Sequence, residues 1–210
     1  MLSTLFVLAS CYNEKRSDKQ IFHYNEFNGI ASLDPAFAKS QSTMWPAHQL
    51  FNTLVEIDDS LHIIPSLAKS WDISADKTVY LFHLRTDVFF HDDPVFTNGK
   101  GRKMVAADVV YSLNRIIDKQ VASPGSWIFN GKVDSIMPFL ALNDSTFQLR
   151  LLRPYNPILG IISMQYCSIV PKEAVDRYGT DFRRHPVGIF AGTRSAQALF
   201  ALWTGKKDRP

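Results

Sequence analysis

The stretch from Phe51 to Asp93 leaves a chain of this kind few ways to fold, because β-forming residues recur there every second position between polar turn signals. A period of two has to be buried on one face of a sheet. Thr53 to Ile57 alternates β-formers with polar residues, Asp58-Asp59-Ser60 makes a turn, and His62 to Ile64 resumes an extended run before Pro65. Trp71 to Ser74, the turn Ser74-Ala75-Asp76-Lys77, and Thr78 to Arg85 then form a hairpin. In its second strand Tyr80, Phe82 and Leu84 face the core, while Val79, Leu81, His83 and Arg85 face the other way.

Helices follow from a different period. Val105, Val109, Val110, Leu113, Ile116 and Ile117 fall on one stripe, with Asp108 near the start and Arg115 and Lys119 near the end, so this helix should cover the sheet. Ser42 to Asn52 places Met44, Ala47, His48 and Phe51 at helical spacing, with Ser42 or Thr43 as cap and Pro46 in the first turn. Pro171 to Gly179 has proline at its start and glycine as its stop, and Ile158 to Met164 reads as a short helix. Ile21 to Glu26, Thr146 to Leu152 and Tyr166 to Val170 read as further strands.

Two loops are candidates for meeting a ligand. Asn28 to Pro35 ends in a turn signal and is either a plain connection or backbone exposed to a ligand. Ala122 to Asn130 carries Trp127 and Phe129, which either fill the core or present an aromatic surface to a cleft.

Charge and cysteine usage restrict the class. The net charge of +3 is uneven: from Arg177 onward there are 7 Lys/Arg against 2 Asp/Glu, whereas residues 1–176 carry 16 against 18. A neutral body offers no footprint for nucleic acid. At the N-terminus an apolar run, Leu2 to Ala9, leads into Leu8-Ala9-Ser10-Cys11, which resembles a bacterial lipobox whose cysteine is lipidated. No Lys or Arg precedes Cys11, and the alternative is a hydrophobic first strand with a buried cysteine. The polar run Asn13 to Gln20 favours a tether. With Cys11 acylated, Cys167 has no disulfide partner and reads as a buried structural thiol.

The richest cluster of chemistry-bearing residues is His91-Asp92-Asp93, with His83 upstream. Were His83 and His91 to meet across neighbouring strands, they and Asp92 could hold zinc for a surface metallohydrolase. Asp-Asp-Pro after a strand favours a structural turn. Asn98 to Lys103 has neither the glycine spacing of a phosphate loop nor a following Ser or Thr, and no Gly-x-Ser-x-Gly occurs. Binding is therefore the better class, and no cofactor is expected.

Several stretches then form an ordered series: Leu33-Asp34-Pro35, Asn52 to Glu56, Ile64 to Trp71, Tyr80 to Asp92, Ala107 to Ser112, Ile169-Val170-Pro171 and His185-Pro186-Val187-Gly188. From about Phe22 to Gly188 the chain resembles the extracytoplasmic solute-binding proteins of ABC transporters, in the dipeptide and oligopeptide-binding family. The resemblance implies an α/β, type II periplasmic-binding-protein fold, here incomplete: part of the first lobe with its inserted subdomain, and no second lobe. It implies capture of a peptide or similar solute outside the cytoplasmic membrane and delivery to ABC permease subunits, by a monomer held through a lipid anchor at Cys11. Family members take dipeptides, longer peptides, nickel complexes or haem. The expected organisation is a signal over residues 1–11, a tether over 12–20, the solute-binding portion over 21–188, and an aberrant tail over 189–210 produced by a frameshift or early stop. Cleft-facing residues are expected at Asn28, Gly29, Ile30, Ala31 and Ser32, and at Ser126, Trp127, Ile128 and Phe129. An interaction module without a small ligand is the remaining alternative.

Overall fold

The computed structural model describes residues 29–190. Cys11, the strand expected over Ile21 to Glu26, Asn28 and residues 191–210 lie outside the described residues. After a 3-10 turn at Pro35–Phe37 come helix α1 (Gln41–Leu50), strands β1 (Val55–Ile57), β2 (Ile63–Pro65), β3 (Ala68–Ile73), β4 (Val79–Leu84) and β5 (Phe89–Phe90), and helix α2 (Ala106–Ile117). Then follow β6 (Phe139–Asn143), β7 (Thr146–Arg150), α3 (Ile158–Ile162), α4 (Lys172–Tyr178) and β8 (Ile189–Phe190).

The meander divides among three sheets. β1 pairs with β2, and β3 and β4 open a four-stranded sheet of order β3-β4-β7-β6, while β5 pairs with β8. Every strand pairing among the described residues is antiparallel. The β3–β4 turn is tightly specified. Asp76 accepts from the Ser74 hydroxyl (2.6 Å), the Thr78 hydroxyl (2.8 Å) and the Thr78 N–H (3.2 Å), and Lys77 takes a left-handed φ of 57°. These bonds hold the Asp76 carboxyl below its usual range, the Ser74 hydroxyl first. Asp58 closes the β1–β2 turn, accepting from the N–H groups of Ser60 and His62.

The pleat puts Tyr80, Phe82 and Leu84 in the core, as its period requires. A row of rings crosses the buried face: Phe82 to Phe147 at 5.9 Å, Phe147 to Phe139 at 6.3 Å, Phe139 to Phe129 at 5.2 Å. Helix α2 lies on β6 and β7, burying Ala106, Val109, Leu113 and Ile116, with Val110 and Ile117 at its margin.

Three local expectations are corrected. β6 was not anticipated, being five residues that follow directly on Pro138. Tyr166–Val170 is no strand: a 3-10 turn spans Gln165–Cys167, and thereafter the chain makes single bonds, Ile169 N–H to Asn52 O (3.0 Å) and Val170 N–H to the Ser112 hydroxyl (2.9 Å). Helix α1 is capped at Ser40, whose N–H donates to the Thr43 hydroxyl, so Pro46 falls in the second turn. Its buried side is Thr43, Ala47 and Leu50, while Met44 is half-buried and His48 is exposed. Ile189 and Phe190 pair with Phe90 and Phe89 at the end of the described residues.

Two glycines are fixed by close approach. A Cβ on Gly188 would lie 2.0 Å from the Leu50 carbonyl oxygen and 2.9 Å from the His91 ring. One on Gly101 would lie 1.8 Å from the Phe90 carbonyl oxygen. Neither position has room for a side chain.

Candidate functional site: two loops tied side by side

The loop from Gly29 to Asp34 is held from three sides. The Leu33 N–H donates to Arg183 O (2.9 Å), the Asp34 N–H to the Ser32 hydroxyl (3.1 Å), and the Asp34 carboxylate accepts from the Ala36 N–H (3.0 Å) and from both terminal nitrogens of Arg115 (3.1 and 2.7 Å). The last pair is bidentate, with side chains only 10% and 6% exposed, and the guanidinium lies 5.9 Å from the Phe182 ring centroid. Asp34, first read as part of a turn, and Arg115, first read as a partner of the helix dipole, are therefore one buried contact. Nothing in the local pattern signalled it, because the two residues are 81 apart.

The second loop is joined to the first. The Ser123 hydroxyl donates to Ala36 O (2.6 Å) and accepts from the Gly125 N–H (3.0 Å). Gly125 lies flat on Tyr166, where a Cβ would come within 2.5 Å of the ring. The structure thus ties the turn that follows the first loop to the start of the second through Ser123, which the sequence did not single out.

Within these stretches the expected residues divide. Gly29 (φ +67°) and Ala31 are exposed, Ile30 packs partly on the core and Ser32 is buried, its hydroxyl engaged with Asp34. Ser126 is exposed and Trp127 is 56% exposed. The Ile128 and Phe129 side chains are both buried, and Phe129 closes the row of core rings. Their N–H groups are also occupied, bonding to Gly125 O and Ser126 O. Trp127 is the aromatic left to the surface. Lys132 Nζ donates to Trp127 O (3.1 Å) and lies 5.8 Å from the Tyr155 ring centroid.

The histidine cluster does not come together. His83 Nε2 is 2.8 Å from Asp72 on the neighbouring strand, at the solvent face. His91 is buried, its N–H on Gly188 O (3.0 Å) and its ring bonded to the Ile189 backbone. Burial pushes its pKa down to about 4, against the opposing pulls of that bond and of Asp92. Asp92 faces outward, accepting from Lys100 Nζ (2.7 Å) and the Gly101 N–H (2.9 Å), and the Lys100 contact first holds its carboxyl low. Asp93 accepts from Val95 N–H and the Tyr178 hydroxyl. Each acid closes its own turn, and among the described residues no three His, Cys, Asp or Glu side chains are placed to hold a metal ion. Cys167 is buried, its thiol pushed up by desolvation.

A clasp at the N-terminal end of α2 completes the frame. Arg102 binds Asp108 (2.8 and 2.6 Å) and Glu173 (2.6 and 2.8 Å), and its guanidinium lies 5.1 Å from the Phe90 ring centroid. The Asp108 carboxylate also accepts the Val105 N–H at the start of α2. These bonds, Asp108 first, push the Arg102 pKa up, and the Glu173 carboxyl is held down mainly by Arg102.

A mixed helix-and-sheet scaffold of this shape is that of the substrate-binding proteins of ABC importers. It is similar to the solved periplasmic binding protein DppA of Helicobacter pylori in complex with the peptide STSA, with a TM-score of 0.64 and 30% identity over 78% of this chain and 34% of that one. Residues 62–192, more than half of the sequence, match the model for bacterial extracellular solute-binding proteins, family 5, and the chain belongs to that family. It is 36% identical to the dipeptide-binding protein of Escherichia coli over 135 residues, 60% of this chain and 25% of that protein. To the di/tripeptide-binding protein 2 of Pseudomonas aeruginosa it is 32% identical over 197 residues, 83% of this chain and 37% of the relative. The chain thus spans between a quarter and somewhat over a third of the length of these relatives.

Proposed function

We propose that these residues form one wall of a peptide-binding site in an ABC importer's extracytoplasmic solute-binding protein, which passes its peptide to the permease. The observation that carries this reading is the junction of the two loops through the Ser123–Ala36 bond, with Gly29 and Ala31 exposed on one loop and Trp127 surface-facing on the other. Exposed loop backbone can hydrogen-bond a peptide main chain, and an exposed indole gives its side chains an apolar surface. A ligand held between two lobes gains most of its affinity on closure, so the 210-residue chain alone should hold peptides weakly or not at all.

The test is a titration of isotope-labelled protein with di- to pentapeptides, followed by nuclear magnetic resonance. Millimolar peptide should shift the amides of Gly29 to Ser32 and the Trp127 indole N–H. Shifts confined to other surfaces would refute the site, and micromolar affinity by calorimetry would refute the weak-binding expectation. Anchoring through an acylated Cys11 predicts that Cys11→Ser releases the protein from the membrane fraction. An unchanged distribution would remove the anchor from the proposal.

A further inference from the structure

We infer that Ser123 and Arg115 are positioning residues that hold the two ligand-facing stretches at a fixed spacing, so that they form one preorganised wall. The inference rests on the reading that Gly29 to Ser32 and Ser126 to Trp127 face a peptide. Neither loop is anchored by regular secondary structure of its own beyond single 3-10 turns. Their geometry depends instead on a chain of side-chain bonds. Arg115 projects from α2, the helix seated on the four-stranded sheet, and fixes Asp34 by two parallel hydrogen bonds. Asp34 orients both neighbours, receiving the Ala36 N–H on its carboxylate and donating its own N–H to the Ser32 hydroxyl. Ala36 in turn offers its carbonyl to Ser123, and Ser123 receives the Gly125 N–H one residue before Ser126.

The path from helix to indole therefore runs Arg115, Asp34, Ala36, Ser123, Gly125. Its polar atoms sit in buried surroundings, where a lost bond is not replaced by water. Ser123 is 4% exposed and its hydroxyl spends one donor and one acceptor on opposite loops, which no apolar residue of similar size reproduces. Holding both loops before the ligand arrives removes the ordering cost from binding, which is the value of such a connection to a peptide receptor.

Amide hydrogen exchange on the full chain tests the connection without ligand. Ser123→Ala should speed exchange at Leu33, Ala36 and Phe37 roughly tenfold or more, while Tyr80 to Leu84 in β4 keep their rates. Ser123→Thr, which retains the hydroxyl, should restore the slow rates, and Arg115→Lys, which keeps charge but not the fork, should loosen both loops. Unchanged rates at 33–37 in Ser123→Ala would overturn the inference, as would a uniform rise that includes β4. The peptide-induced shifts of the wild-type chain test the ligand reading separately. Where wild type shows those shifts, Ser123→Ala should weaken peptide binding several-fold and Ser123→Thr should not; equal affinities would also overturn it.

Discussion

Histidine 91 should make the stability of this fold sensitive to mild acid. It is 6% exposed at the end of β5, enclosed by Gly188 and Ile189, and burial lowers its pKa from 6.5 to about 4. In the unfolded chain the imidazole takes a proton below about 6.5, whereas in the native state it stays neutral until about 4. Between those values the unfolded state binds more protons, so stability falls as pH falls, is fully present above about 6.5, and reaches its full loss below about 4. A difference of about 2.5 pKa units amounts to about 3 kcal/mol in total, and about 2.5 kcal/mol of that is already lost at pH ~4.5. The assay is urea denaturation of wild type and His91→Gln at pH ~7.5 and ~4.5. Wild type should lose about 2.5 kcal/mol more than the variant between the two conditions. Carboxylates held low by partners, such as Glu173 and Asp87, titrate in both proteins and cancel in the comparison. Equal losses in the two proteins, within about 0.5 kcal/mol, would refute the assignment of the acid sensitivity to His91.

Three further outcomes are expected. Arg115→Met strands a buried carboxylate and should destabilise by about 3–5 kcal/mol in chemical denaturation, with Asp34→Asn added to it recovering part of the loss. Gly188→Ala drives a methyl into the Leu50 carbonyl and the His91 ring, and should cost about 1–3 kcal/mol or more, seen as a lower unfolding temperature. Phe129→Ala should cost about 3–5 kcal/mol by urea titration, because it removes the end of the buried ring row, whereas Trp127→Ala should leave stability within about 0.5 kcal/mol of wild type.

The sequence disclosed what short-range chemistry decides. The β3–β4 hairpin was legible because its period and its Ser74 to Thr78 turn agree, and the stripe on α2 was legible because packing on a sheet demands it. Tyr166 to Val170 misled because an apolar run has no period to distinguish a strand from extended chain pinned by Ser112. The two aromatics of Ser126 to Phe129 were indistinguishable by composition, and only the position of Phe139 decides which one is buried. Of the candidate site, the loops were visible as turn-rich segments. The bonds that join them were not, since Asp34 to Arg115 and Ala36 to Ser123 are 81 and 87 residues apart in sequence.

The hydrogen bond from Leu33 to Arg183 gives the chain an order of assembly. Its two ends are about 150 residues apart, so at about 5–20 residues per second the loop that contains Leu33 leaves the ribosome roughly eight to thirty seconds before its latch exists. The β3–β4 hairpin can form early in that interval, while the two ends of the latch close last. A nascent chain of this protein should therefore carry a formed hairpin and an open first loop between the emergence of residue 84 and that of residue 183, with protease sensitivity near residue 30 disappearing only after the latter.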